Sequence, residues 1–70
     1  MKIKINLKEI REDQGLTQEE LSIKSNASLN QIRRIEQNVY LNPPLIPLLK
    51  ISKILNIKLE DLVEIEEETK

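Results

Sequence analysis

The chain has 70 residues, enough for one domain around one modest core and too few to carry a second function elsewhere. It contains no cysteine and no histidine, which removes disulfides, thiolate and imidazole metal sites and the commonest nucleophile–base pairs, so enzyme chemistry is not expected. The net charge of −1 hides an asymmetry: residues 1–58 hold ten basic and six acidic side chains, a net of +4, whereas residues 59–70 hold one basic and six acidic, a net of −5.

Lys2 to Asn6 and Val63 to Glu66 alternate charged and apolar residues with period two, the pattern of a half-buried strand. If the two segments pair, Ile3 and Ile5 join Val63 and Ile65 on the core side, and lysines face glutamates on the wet side; the other reading is two unstructured ends. No apolar run reaches the length of a signal-peptide core or a membrane span, since Lys2 and Lys4 interrupt the first one. The chain is therefore expected in the cytoplasm, with no membrane partner.

Between the ends the period becomes helical. Three segments begin with a capping residue followed three places later by Glu or Gln: Asn6 with Glu9, Thr17 with Glu20, and Ser28 with Gln31. That spacing lets side chain and backbone at a helix start satisfy each other. It predicts a first helix from Asn6 to about Gln14, closed by Gly15, then a second and a third helix. The last two are joined across Asn26-Ala27, where Asn suits a left-handed turn. Helices joined so tightly must cross steeply. Residues 38–44 lack helical period and read as a loop. Pro47 belongs in a first turn, so a fourth helix starts near Leu45, with Leu45, Leu48, Leu49, Ser52 and Leu55 inward. Asn56 ends it, and Leu59 to Val63 form a last short helix. The fold class expected is all-α, a five-helix bundle spanning residues 7–63, with short strands at 1–6 and 63–67 if the ends pair and an acidic tail over 66–70.

In this order and spacing, Leu7-Lys8-Glu9-Ile10-Arg11, Gly15-Leu16-Thr17-Gln18-Glu19-Glu20-Leu21, Ser28 with Ile32, Arg34-Ile35-Glu36 and the stretch from Asn42-Pro43 to Leu62 resemble the Cro and lambda-repressor (XRE-like) helix-turn-helix family in its small stand-alone form. The resemblance implies a third helix that enters the DNA major groove, a palindromic operator and a two-fold homodimer. It also implies a transcriptional regulator, here a repressor, that needs no cofactor and no small-molecule substrate.

The residues themselves agree on the third helix. Ile32 and Ile35, three apart, face the core and leave Leu29, Asn30, Arg33, Arg34 and Gln37 elsewhere. Arginine can bond guanine O6 and N7, Asn or Gln can bond adenine, and an apolar side chain can touch the thymine methyl. An ordinary solvated helix face would carry similar polar residues, but Leu29 is out of place on one. By resemblance, Leu29, Asn30, Arg34 and Gln31 touch bases. Thr17 and Gln18, at a helix N-terminus suited to anions, meet the DNA backbone together with Ser28, Arg33, Gln37 and Tyr40. Arg11 and Glu36 stand where relatives brace the reading helix with an ion pair; the bland alternative is two independent surface charges.

The sequence also departs from the family pattern. Asn38 replaces a glycine, Val39, Tyr40 and Leu41 replace basic residues, Lys58 replaces a hydroxyl cap, and Ser22 and Ala27 replace the commoner alanine and valine, which predicts a slightly looser core around the second helix. Ile23, Ile46 and Ile54, with Leu59 and Val63, are the expected apolar surface for a homodimer. The second class of function is a protein-interaction module of the same fold, an antitoxin or adaptor, working through that surface or the acidic tail.

Overall fold

A computed structural model describes residues 2–37 and 42–66, with the backbone alone for Lys2 and Glu66. Helix starts and stops follow local chemistry. Thr17 and Glu20 form both halves of a capping box at the head of α2 (Gln18–Ser25): the Glu20 amide donates to Thr17 Oγ1 at 3.0 Å and the Thr17 amide to Glu20 Oε1 at 2.9 Å. Ser28 caps α3 (Leu29–Glu36) through one bond, accepting from the Gln31 amide at 3.4 Å. Among the described residues, Gly15, Asn26 and Asn56 are left-handed and end segments, with φ of 71°, 58° and 57°. Glycine has no Cβ to resist that conformation, and asparagine tolerates it.

Asn6 departs from the expected cap. Its side chain makes no bond to the amides of α1 (Leu7–Asp13); Nδ2 donates instead to Glu64 Oε1 at 3.0 Å, and its own amide donates to the Leu62 carbonyl at 2.9 Å. The residue is the joint between β1 (Lys2–Ile5) and α1. There Glu64 holds the side chain through its donor nitrogen, and the backbone, at φ −96° and ψ 30°, lacks the extended conformation that Thr17 and Ser28 adopt as caps.

The two ends pair. β1 runs antiparallel to β2 (Val63–Glu66), with Lys2 opposite Glu66, Ile3 opposite Ile65, Lys4 opposite Glu64 and Ile5 opposite Val63. This register sets opposite charges across from each other along the wet face. Only the inner end of the apolar face reaches the core: Ile5 is 8% exposed and Val63 half-buried against it, whereas Ile65 is 62% exposed and Ile3 also open.

The helical core gathers Leu7, Leu21, Ala27, Ile32, Ile35, Leu48, Ile51, Leu55 and Leu62. α4 (Leu45–Leu55) begins after Pro44 and holds Pro47 in its first turn, where the amide it lacks would have no helical partner. Its phase differs from the expected stripe. Leu48, Ile51, Ser52 and Leu55 face inward, while Leu45 and Leu49 are 58% and 45% exposed. α4 is apolar on nearly every side, so its own pattern does not select a face; packing against α2 and α5 (Leu59–Leu62) does. α5 starts at Lys58 without a side-chain cap.

Around α2 the expected looseness is replaced by hydrogen bonds. Ser22 Oγ donates to the Ala27 carbonyl at 2.6 Å, and Ser25 Oγ donates to the Leu21 carbonyl at 2.7 Å while accepting from the Ala27 amide at 3.2 Å. These hydroxyls satisfy backbone groups at the tight turn between α2 and α3, groups that would be costly to bury unpaired. Among the described residues no buried side-chain nitrogen or oxygen lacks a partner, and no helix is long and apolar enough to cross a membrane.

Candidate nucleic-acid interface

α3 carries its apolar residues on one narrow stripe, Ile32 and Ile35, both fully buried. With roughly 100° between successive residues, that stripe turns Asn30 and Gln37 straight away from the core and sets Arg33 and Arg34 on opposite flanks. Asn30, Arg33, Arg34 and Gln37 are exposed; Leu29 and Gln31 are half-buried. The outer face therefore presents two guanidinium groups, two carboxamides and one partly covered leucine. Donors and acceptors of this kind on a protruding helix can address base edges. Asn38, Val39, Tyr40 and Leu41 lie outside the described residues, and with them the expected phosphate contact of Tyr40.

The head of α2 lies beside α3. Thr17 is exposed, and its hydroxyl oxygen accepts from the Glu20 amide. The Thr17 amide bond, and then the Thr17 hydroxyl, hold the Glu20 carboxyl below the usual glutamate range. Glu19 and Glu20 both stand in the first turn of α2, where they complement the helix dipole. The same charges would oppose an approaching phosphate; the neutral polar side chains beside them are Gln18 and Thr17.

A buried ionic cluster joins α1, α2 and α3. Arg11 Nε lies 2.7 Å from Glu36 Oε2 and Nη2 3.1 Å from Oε1, a fork-to-fork pair. The Arg11 and Glu36 side chains are 9% and 5% exposed. Arg11 Nη1 donates to the Leu16 carbonyl at 2.6 Å, and Gln18 Nε2 donates to Glu36 Oε1 at 3.0 Å. The hydrogen bond to Glu36 raises the Arg11 pKa above its usual value, against the opposing effect of burial. The reading of two independent surface charges is overturned by this geometry.

Sequence reasoning gave Gln18 no partner within the protein, and the structure supplies one. A signal was present: Gln18 falls three before Leu21 and seven before Ser25, on the edge of the inward face of α2. Ile46, Ile23 and Ile54 are exposed, whereas Leu59 and Val63 pack on the core and do not belong to the open apolar surface. Ile3, Ile65, Leu45 and Leu49 belong to it instead.

Two helices meeting at a tight turn, the second clamped at its end and showing polar side chains outward, define a helix-turn-helix DNA-binding domain. The chain belongs to the XRE-type helix-turn-helix family, whose model matches residues 7–62. The matched region runs from the first residue of α1 to the last of α5, so the β1–β2 sheet lies outside it. This family consists of DNA-binding regulatory domains that act on double-stranded DNA. No curated protein matches the chain.

Proposed function

We propose that the protein is a transcriptional repressor that works in the cytoplasm, occupies a palindromic operator as a two-fold homodimer, and places α3 in the major groove. In this reading Leu29, Asn30, Gln31 and Arg34 address bases. Thr17, Gln18, Ser28, Arg33 and Gln37 hold the DNA backbone, joined by Tyr40. Occupancy of the operator suffices, so neither a cofactor nor a small-molecule ligand enters the mechanism. The observation that carries the reading is the outer face of α3, with Asn30 and Arg34 exposed on a helix whose end is fixed by the buried Arg11–Glu36 pair. Rigid placement of a few side chains is what base discrimination requires. The exposed isoleucines support the homodimer, because open apolar side chains are what a two-fold interface would cover; palindromic half-sites would require that dimer to set its two α3 helices about one DNA turn apart.

Selection from random duplex DNA tests this directly. A palindrome should emerge, with affinity falling as salt rises. Arg34→Ala should lose about 1–3 kcal/mol of discrimination at one base pair per half-site, while Arg33→Ala should weaken all sequences and lower the salt slope by about 0.9 per protomer, about 1.8 for the dimer. Retained discrimination in Arg34→Ala would remove its assigned role.

A second reading is favoured by the two carboxylates in the first turn of α2 and by the open apolar side chains Ile46 and Leu49: a protein-interaction module of the antitoxin or adaptor kind. It predicts no enriched sequence in the selection.

A further inference from the structure

We propose that Gln18 is a positioning residue that couples the grip on the DNA backbone to the reading of bases, acting through Glu36. The inference rests on the reading that α3 addresses bases and α2 the backbone. Glu36 is the last residue of α3, two places after Arg34. Both its oxygens are committed: Oε2 accepts from Arg11 Nε at 2.7 Å, and Oε1 accepts from Arg11 Nη2 at 3.1 Å and from Gln18 Nε2 at 3.0 Å. Arg11 also holds the Leu16 carbonyl, two residues before Gln18. The head of α2 is thus tied to the end of α3 twice, once through its backbone and once through the Gln18 side chain.

A carboxamide nitrogen carries two N–H groups in one plane with its oxygen. With one N–H on Glu36, the Gln18 nitrogen is held 3.0 Å from that carboxylate, and among the described residues no acceptor takes the second N–H. That N–H suits a phosphate oxygen, and its nitrogen is held by the same carboxylate that fixes the end of α3. A shift at one place must be answered at the other. Gln18 therefore does more than anchor all sequences alike: removing its donors loosens the end of α3 and the placement of Arg34. Because the group is neutral, its phosphate contact releases no counterion and leaves the salt slope unchanged.

The test compares wild type, Gln18→Met, Arg34→Ala and the double variant. Each is measured on the selected operator and on the operator altered at the base pair that Arg34 discriminates. Gln18→Met keeps the shape and removes the donors. It should bind the operator about tenfold more weakly at an unchanged salt slope, and the discrimination due to Arg34 should fall at least about threefold, so the effects do not multiply in the double variant. A lysine restores donors, so Gln18→Lys should recover the discrimination while raising the salt slope by about 0.9 per protomer, about 1.8 for the dimer. Gln18→Met weakening both operators equally, with effects multiplying within about twofold in the double variant, would overturn the coupling and leave base reading intact. So would Gln18→Lys tightening both operators without restoring discrimination. Full discrimination by Arg34→Ala, or the absence of any enriched sequence, would instead remove the underlying reading, and the coupling with it. Thermal unfolding of each variant separates a change in α3 placement from loss of the fold.

Discussion

Arg11 and Glu36 meet across 25 positions of chain with Nε 2.7 Å from Oε2, and the contact holds α1 to the end of α3. Their burial decides what the pair does. An exposed ion pair contributes under about 1 kcal/mol, but removing one partner of a buried pair strands the other charge. Arg11→Ala should therefore destabilise the protein by about 3 kcal/mol. Replacing both residues by methionine should return it to within about 1 kcal/mol of wild type, since no charge is then left unpaired. Urea unfolding checks both values, and a cost below about 1 kcal/mol for Arg11→Ala would mean that the pair behaves as a surface one.

The capping box at Thr17 makes a signed statement about pH. The Glu20 pKa is lowered in the folded chain, first by the bond from the Thr17 amide and then by the Thr17 hydroxyl. A depressed folded pKa contributes stability above the unfolded value, and that contribution disappears as pH falls through the folded value. The carboxyl is fully exposed, so the effect on overall stability is screened and small. Its titration is the readout: carbon NMR of the Glu20 carboxyl should show a midpoint below that of an unfolded glutamate. Thr17→Ala should bring it only part of the way back, because the larger cause is a backbone amide that the substitution keeps. A midpoint at the ordinary glutamate value in the native chain would contradict the box.

Gly15 isolates the cost of handedness. A Cβ built there would meet nothing within 4 Å, yet φ is 71°. Any penalty for Gly15→Ala must then come from the left-handed backbone alone, about 1–2 kcal/mol. Asn26 and Asn56 already accept that penalty in part, so Asn26→Gly and Asn56→Gly should leave stability unchanged or raise it by a few tenths of a kcal/mol. Denaturation midpoints at constant slope would show this ranking; a loss at Asn56→Gly would point to a side-chain role at that turn.

These positions also show what could be read from sequence and why. Gly15, Asn26, Asn56, Thr17 with Glu20, and Pro47 act within a few residues of themselves, so their consequences are written in local spacing. The strand alternation at the two ends placed Ile3, Ile5, Val63 and Ile65 on one face and lysines opposite glutamates, but it put Ile3 and Ile65 on the core, and the structure leaves both exposed. Readings failed where the partner is remote. Asn6 is a good cap until Glu64 approaches it, and nothing near Asn6 announces Glu64. In α4, Leu45, Leu48, Leu49, Ile51, Ile54 and Leu55 leave the apolar face degenerate, and only packing against α2 and α5 turned Ile51 inward and Leu49 outward. The bond from Gln18 to Glu36 spans 18 positions, from the first residue of α2 to the last of α3. The polar outer face of α3 was legible, and the Arg11–Glu36 brace was expected by resemblance; the Gln18 bond to that brace was not.

The sheet separates stability from association. Ile5 and Ile65 lie on the same apolar face of one register, yet Ile5 is 8% exposed and Ile65 62%. Ile5→Ala removes buried methyl and methylene groups and should cost about 2–4 kcal/mol. Ile65→Ala removes exposed ones and should change the stability of a monomer by no more than about 0.5 kcal/mol. The open edges of the sheet are poor routes to a symmetric dimer, because pairing β1 with β1 sets lysine against lysine and pairing β2 with β2 sets glutamate against glutamate. The overhanging face at Ile3 and Ile65 carries no such conflict. If the homodimer uses it, Ile65→Lys should shift sedimentation equilibrium towards monomer and weaken operator binding, while binding to a single half-site at high protein concentration persists. Unaltered association in Ile65→Lys would move the interface to the exposed side chains of α4, where Ile46→Lys and Leu49→Lys make the same measurement.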